Sequence, residues 1–162
     1  MLENTPLGPI SLAVTVHGLL RVSFGTAADL RTRFASRLGA PPAPDLLAEA
    51  LHQMVEYLEG QRRAFTLPLE DEELSEFELA VRRAALAIPY GQTTTYRKLA
   101  VQIGSPDGAR AVGIAMSRNP LPLVVPCHRV VAASGKLHGY SGAGGPATKA
   151  WLLQLEGQRL VA

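Results

Sequence analysis

The sequence contains, at residues 94–118, the stretch TTYRKLAVQIGSPDGARAVGIAMSR. Thr94 or Thr95 can cap a short helix that ends at Gly104, and a second helix fits residues 107–118. Two short helices across a tight, glycine-containing turn predict a helix-turn-helix. The second helix is rich in Gly and Ala and carries Arg110. Small side chains let a helix approach a groove closely, but close packing on a neighbouring helix is the simpler explanation of these residues taken alone, and both interpretations stay open.

Three further segments of the C-terminal part carry readable signals. Ser75 and Glu78 fit a capping box, which predicts a helix that runs to about residue 87. Pro146 begins a final helix that Gly157 closes. Two pairs of valines, at residues 124–125 and 130–131, flank the single cysteine. They predict buried extended chain on both sides of it.

The N-terminal part predicts a small α/β domain. Alternating apolar residues over positions 10–24 predict a β-hairpin with one buried face, and residues 65–69 alternate as a short strand. Asp45 is a good cap for an amphipathic helix whose apolar positions are Leu47, Leu51, Met54 and Leu58. The acidic stretch at residues 70–73 is typical of an exposed linker. We therefore predict domains at residues 1–73 and 74–162.

Composition and charge narrow the functional class. Residues 1–86 carry 8 Lys/Arg against 12 Asp/Glu, a net charge of −4, whereas residues 87–162 carry 8 against 2, a net charge of +6. A basic half favours a polyanionic partner such as nucleic acid, although a plain solvated surface is the alternative. One cysteine cannot form an internal disulfide, and no long apolar run or charged leader is evident. We therefore expect a cytoplasmic protein without a membrane segment.

The chemically informative segment is Pro126-Cys127-His128-Arg129. A neighbouring cation or base lowers the pKa of a thiol, and the thiolate is the nucleophile. The alternative is a buried cysteine that acts as a small hydrophobe beside a surface histidine. A zinc or iron site is a weaker alternative, because His17, His52 and His138 show no ligand spacing to the cysteine.

The segment from Asn119 to Val131 resembles the active-site signature of O6-alkylguanine-DNA alkyltransferases. The resemblance covers roughly residues 75–157. The segments that carry it, besides the signature, are residues 88–91, 95–96, 109–113, 139–142 and 152–156. It implies an α/β (α+β) protein in which a small ribonuclease-H-like domain precedes a mostly helical domain with a helix-turn-helix. Residues 1–70 resemble the family only loosely and lack the cysteines that bind zinc in some members, so no metal and no cofactor are implied.

The resemblance also implies catalytic roles. Cys127 would accept the alkyl group, His128 would be the base that polarises it through a water, and Glu156 would orient the imidazole. Tyr96 would donate a proton toward N3 of the leaving guanine. Without the resemblance, a tyrosine at the start of a short helix predicts packing.

Pocket and DNA contacts follow from the same resemblance. The backbone amide of Ser141 would contact guanine O6, and the carbonyls of Cys127 and Val130 would accept from the exocyclic N2. Arg110 would fill the gap left by a flipped base, and Asn119 would be a hinge between the recognition helix and the cysteine segment. The other implied contacts are Met116, Pro122 and Tyr140 as pocket walls, and Thr95, Ala109 and Ala111 on the DNA. The loop before Lys149 is about two residues longer than is common in the family, which leaves its contacts with bulky adducts open.

The function expected is stoichiometric transfer of an alkyl group from O6 of guanine in double-stranded DNA, by a protein that is monomeric in solution. Activity on O4-alkylthymine and clustering of copies along DNA stay open. Three alternatives remain. A sensor would bind alkylated bases without transferring the alkyl group. A helix-turn-helix regulator would read the base sequence of unmodified DNA sites. A cysteine hydrolase would turn over repeatedly, although Pro126 leaves it one backbone donor fewer for an oxyanion hole.

Overall fold

The computed structural model of the chain describes residues 1–34, 44–71, 73–137, 140 and 142–159. The chain divides into two compact units, Met1–Glu70 and Asp71–Ala162. Our domain boundary after residue 73 lies slightly beyond this division and stays a prediction. Helices and short sheets occur in both units, so the mixed α/β class is confirmed.

The first unit is built on a hairpin. Strands β1 (Ile10–Val14) and β2 (Leu19–Phe24) pair antiparallel, as the alternation predicted. Helices α1 (Ala27–Phe34) and α2 (Pro44–Leu58) both pack against β1. The helix predicted after Asp45 is present, although Asp45 lies inside its first turn.

The prediction of a single buried face for the hairpin is wrong. Successive side chains of a strand point to opposite faces, and the neighbours Ile10 and Ser11, which keep the regular register with β2, are both buried. Ala13 and Leu20 form a buried cluster with Leu30 of α1. The missed element is α1, whose short run of residues carries too few apolar positions to predict a buried helix face.

The predicted strand at residues 65–69 is also wrong, because it is reduced to one bridge between Leu19 and Leu69. The amide of Leu19 donates to the carbonyl of Pro68 at 2.8 Å, and the amide of Glu70 donates to the carbonyl of Leu19 at 3.0 Å. This crossing brings the backbone of Pro68 against the hairpin turn. Gly18 has a φ of 154°, and a Cβ there would lie 2.6 Å from the Pro68 oxygen.

Replacing Gly18 by alanine should therefore destabilise the first unit by about 1–3 kcal/mol more than Gly8→Ala does, because the added methyl group overlaps backbone that cannot rotate away. Gly8 is the matched control, since its φ is 81° and a Cβ added to it would meet nothing within 4 Å. Urea unfolding followed by circular dichroism measures the difference. Equal losses in the two variants would show that the close approach to Pro68 costs nothing.

The second unit consists of helices around a very short sheet. In chain order its elements are α3 (Glu76–Leu86), β3 (Thr94–Thr95), α4 (Tyr96–Gln102), α5 (Ala109–Ser117), β4 (Val130–Val131) and α6 (Pro146–Leu155). The capping box between Ser75 and Glu78 is present. Helices α4 and α5 pack together across the turn at residues 103–108 and form the predicted helix-turn-helix.

The parallel pairing of β3 with β4 was not predicted. Thr94 lies opposite Val130, and Thr95 lies opposite Val131. Two-residue strands are too short for an alternation to be recognised in the sequence. The pairing matters because it brings the start of α4 beside the segment that carries the cysteine.

The chain before Cys127 is buried as predicted, but the prediction that it is extended is wrong. The amide of Val125 donates to the carbonyl of Leu121, and the amide of Cys127 donates to the carbonyl of Val125, each at 2.8 Å. Leu123 has a φ of 75°. A turn therefore leads into a 3-10 helix at Cys127–Arg129, and only β4 after it is extended.

Candidate active site and nucleic-acid groove

Cys127 opens the 3-10 helix and is only 4% exposed. Its thiol receives a hydrogen bond from the side chain of Asn119 and lies within electrostatic reach of the Lys149 ammonium. Burial raises the pKa of the Cys127 thiol, and these two neighbours oppose the rise without cancelling it. The expectation of a lowered thiol pKa is therefore wrong for this state, because desolvation of the thiolate outweighs the nearby cation.

Asn119 holds the turn that presents the thiol. Its Nδ2 donates to the carbonyl of Val125 at 3.1 Å, and its Oδ1 accepts from the amide of Leu121 at 3.0 Å. Asn119 is itself buried and follows directly after α5 and its cap. A single side chain thus joins the end of α5 to the cysteine turn.

His128 faces Glu156 rather than solvent. The His128 Nε2 lies 2.8 Å from Glu156 Oε1, and both side chains are buried. Burial lowers the pKa of His128, and the charges of Arg129 and Lys149 add to this effect, while the bond with Glu156 opposes it. Since a carboxylate only accepts, a neutral His128 donates its Nε2–H to Glu156 and carries its lone pair on Nδ1.

Glu156 accepts hydrogen bonds from two other segments of the chain. Arg129 donates from Nε to Oε2 and from Nη2 to Oε1, each at 2.8 Å. The amide of Gly91 donates to Oε2 at 3.1 Å. The remaining amino group of Arg129 donates to the carbonyl of Ile88 at 2.6 Å, and the Arg129 guanidinium lies 5.7 Å from the ring centre of Tyr90. The turn at residues 88–91, the 3-10 helix and the end of α6 therefore meet at one carboxylate.

Tyr96 and Lys149 form a second polar group near the thiol. Lys149 is 1% exposed, and its ammonium donates to the carbonyl of Val130 at 2.5 Å and to the Tyr96 hydroxyl at 3.5 Å. Burial first, and then the negative charge that Cys127 can carry, raise the pKa of Tyr96. The phenol consequently keeps its proton at neutral pH and remains a donor. The carbonyl of Val130, which we expected to face guanine, already accepts one hydrogen bond and has a second lone pair.

Three of the remaining predicted pocket residues, Tyr140, Pro122 and Met116, are buried. Tyr140 is buried, and burial together with the potential charge of Cys127 raises the pKa of its phenol. Pro122 is buried. Met116 is buried on α5 and lines a narrow cleft with Val81 of α3 and other residues. Ser141 lies outside the described residues.

An open groove runs along the helix-turn-helix. It is lined by Thr95, Tyr96, Arg97, Ala109, Arg110, Gly113, Ile114, Ser117, Ala132 and Ala133. Arg110 is an exposed cation in the first turn of α5, and Ala111 beside it is also exposed. The hydroxyl of Thr95 accepts from the amide of Lys98 and so caps α4. Small residues and one long cation make this groove a candidate surface for a nucleic acid.

Sequence reasoning missed Arg129 and Lys149. Arg129 follows His128 in the sequence, but only the fold shows that its guanidinium donates two hydrogen bonds to Glu156. Lys149 precedes Leu152 by three positions and Leu153 by four, and both leucines are buried. A lysine on the apolar face of a helix is a readable signal, because lysine is rarely buried without a partner.

Among the residues that the structure describes, no group of three or more His, Cys, Asp and Glu side chains lies close enough to share a metal ion. Within those same ranges, no helix has the length and apolar character needed to cross a bilayer.

The fold and the site define a helix-turn-helix protein that carries a buried cysteine reaction centre. Family models described as "6-O-methylguanine DNA methyltransferase, DNA binding domain" and "6-O-methylguanine DNA methyltransferase, ribonuclease-like domain" match residues 76–158 and 2–70. The chain belongs to the 6-O-methylguanine DNA methyltransferase family.

Individual relatives cover nearly the whole chain. A methylated-DNA–protein-cysteine methyltransferase of Mycobacterium leprae is 42% identical over 94% of this chain and 88% of its own length. A protein of the same name from Methanosarcina acetivorans is 40% identical over 95% of both chains. The crystal structure of Mycobacterium tuberculosis OGT in complex with DNA is 39% identical, with a TM-score of 0.78 over 94% of this chain and 89% of that one.

The lowered pKa of His128 predicts how the stability of the second unit depends on pH. Below the ordinary value of 6.5 the unfolded chain protonates His128 whereas the folded chain does not. The free energy of unfolding should therefore fall as the pH falls below 6.5, by up to about 1.4 kcal/mol per pH unit for one proton. Urea titrations measure this free energy of unfolding at each pH, with the fluorescence of Trp151 in α6, the only tryptophan, as the signal.

The dependence of the free energy of unfolding on pH should be weaker in His128→Gln. It should be unchanged in His52→Gln, a substitution at an exposed site. An identical slope in wild type and His128→Gln would contradict the assignment.

Proposed function

We propose that this protein repairs DNA by moving a methyl or larger alkyl group from O6 of guanine in double-stranded DNA onto Cys127. The proposal rests mainly on the side chains that surround the only thiol of the chain. Asn119 and Lys149 contact or face the sulfur, and the next residue, His128, is paired with Glu156. Membership of the family, and relatives named methylated-DNA–protein-cysteine methyltransferase, support the same reaction.

The reaction is a displacement at the alkyl carbon. The Cys127 sulfur forms a bond to that carbon, the bond from carbon to guanine O6 breaks, and the electron pair leaves with the guanine ring. Attack requires a thiolate, so the thiol proton must leave first. Neutral His128 takes this proton through a water on its Nδ1 side, while Glu156 holds Nε2.

The leaving guanine needs a proton, and Tyr96 supplies it at N3. Its raised pKa keeps the phenol protonated until negative charge develops on the ring. The ammonium of Lys149, 3.5 Å from the Tyr96 oxygen, then stabilises the phenolate that remains. We assign the carbonyl of Val130 and the buried ring of Tyr140 to the walls of the base pocket beside the sulfur, Pro122 and Met116 to its other walls, and the backbone amide of Ser141 to guanine O6.

The target base must leave the helix to reach a buried sulfur. Extruding a base costs a few kcal/mol, and damage that weakens pairing reduces this cost. Arg110 is exposed in the groove that also contains Thr95 and Ala109. We assign Arg110 to the gap that the base vacates, with Thr95, Ala109 and the exposed Ala111 against the DNA backbone, and we assign Asn119 to the hinge that a packed alkyl group on Cys127 would disturb.

Each molecule acts once under this proposal. A thioether is not hydrolysed under mild conditions, and the chain has no second thiol to accept the group. The rival hydrolase would need backbone donors at the nucleophile, but the amide of Cys127 donates to the carbonyl of Val125 at 2.8 Å. A monomeric state and a cytoplasmic location remain part of the proposal.

Cys127→Ser should abolish alkyl transfer and keep DNA binding, because a serine hydroxyl is far less readily ionised than a thiol while the groove is untouched. A duplex with one radiolabelled O6-methylguanine measures both, as label retained by the protein and as the dissociation constant. Ser134→Ala, at an exposed position, serves as a control. Label on the Cys127→Ser protein would refute the assignment of the nucleophile, and more than one label per wild-type molecule would refute single use.

Arg110→Ala should slow transfer from duplex DNA on the order of 10- to 100-fold, since the extruded base loses the side chain that replaces it in the stack. Transfer from free O6-benzylguanine should change little, because no base has to be flipped. Arg118→Ala is the matched control, as an exposed arginine at the end of the same helix that does not line the groove. Equal losses on the duplex and the free base would contradict the assignment.

A further inference from the structure

Glu156 occupies a position where a lone carboxylate is unfavourable. It caps the C-terminal end of α6, where helix carbonyls concentrate negative charge, and its side chain is fully buried. Three donors besides His128 reach it, two from Arg129 and one from the amide of Gly91. Together with His128 Nε2 they occupy the four lone-pair positions of the carboxylate.

We infer that Arg129 is a positioning residue that neutralises Glu156, so that His128 rests as a neutral imidazole with its proton on Nε2 and its lone pair on Nδ1. This inference rests on the proposed function, because it assigns Arg129 a part in preparing the base. Arg129 is always a cation and fits a carboxylate through two parallel hydrogen bonds. The pair therefore carries no net charge, and Glu156 is left to orient His128 without holding it protonated.

The other charges near His128 favour the same state. The charged and titratable groups that face it are Glu156 and Lys149 at α6 together with Arg129 and Cys127 of its own segment. With His128 and Cys127 neutral, the two cations and one carboxylate already leave this buried site at +1. A proton on His128 would raise the charge to +2 in a low-dielectric environment. Burial and the repulsion by Arg129 and Lys149 accordingly lower the pKa of His128.

The same arginine fixes the surroundings of the pair. Arg129 donates to the carbonyl of Ile88. Gly91 also lies close to the end of α6, because a Cβ added to it would lie 2.9 Å from the Glu156 carbonyl oxygen. The hydroxyl of Tyr90 donates to the carbonyl of Leu155 at 3.1 Å. The turn at residues 88–91 thus packs directly on the end of α6, and the fork of Arg129 sets where the Glu156 oxygens lie.

The test measures the ionisation of His128 directly, without DNA. Nitrogen-15 NMR of histidine-labelled protein distinguishes the neutral tautomers from the imidazolium, and His128→Gln assigns the signal. The wild-type signal should show a neutral ring protonated on Nε2 at pH 7. In Arg129→Met, Glu156 is no longer neutralised, so His128 should titrate at a pH higher by about one unit or more. Arg129→Lys keeps the charge and should titrate close to wild type.

The second readout is the rate of single-turnover transfer against pH. Because neutral His128 takes the thiol proton, the acid limb of the profile should move to higher pH in Arg129→Met by the same amount and stay in place in Arg129→Lys. A purely structural role predicts a lower melting temperature with unchanged titration, and that result would overturn the inference. An imidazolium in the wild type at pH 7, or equal shifts in the two variants, would also overturn it.

Two safeguards keep this test decisive. If Arg129→Met does not fold, the state of His128 in the wild type and in Arg129→Lys still supports or overturns the inference. If the protein proves unable to transfer alkyl groups, the NMR titration remains valid, so failure of the proposed function is distinguishable from failure of this inference.

Discussion

The buried carboxylate of Glu156 is the constraint on which the second unit depends. It accepts hydrogen bonds from Arg129 and Gly91 and pairs with His128, so three segments distant in sequence meet at two oxygen atoms. Removing one partner from a buried ion pair leaves a charge without compensation and costs about 3–5 kcal/mol. The segment that carries Cys127 is therefore held in place by the same carboxylate that orients His128, the proposed base.

The site balances protection of the thiol against its activation. Burial keeps Cys127 protonated at rest, while Lys149 and Asn119 favour the thiolate. A nucleophile that is used once gains from this balance, because a thiol hidden from solvent is not spent on other electrophiles. Activation then requires a base at close range, and in the proposed mechanism this base is neutral His128. Lys149 also faces the phenol of Tyr96, so under the proposed mechanism one buried cation would stabilise both the attacking thiolate and the phenolate left by proton donation.

Local signals in the sequence predicted the elements that they encode directly. The capping box at Ser75, the two helices of the helix-turn-helix and the hairpin from residue 10 to residue 24 are present as predicted. What the sequence could not predict are features set by long-range packing. The pairing of Thr94 with Val130 and the two hydrogen bonds from Arg129 to Glu156 join segments more than 25 positions apart. The burial that raises the pKa of Cys127 is likewise a property of the folded chain. Adjacency of Cys127 and His128 predicted a cation beside the thiol, whereas the fold turns the imidazole toward Glu156.

The central claim is that Cys127 itself takes the alkyl group, and intact mass spectrometry followed by peptide mapping tests it most directly. The protein is incubated with a duplex oligonucleotide that contains a single O6-methylguanine. The account predicts a mass gain of one methylene per molecule, located on the peptide that contains Cys127, and guanine restored in the DNA. An unchanged mass together with tight, lesion-selective binding would contradict it and would identify the protein as a sensor of alkylated bases.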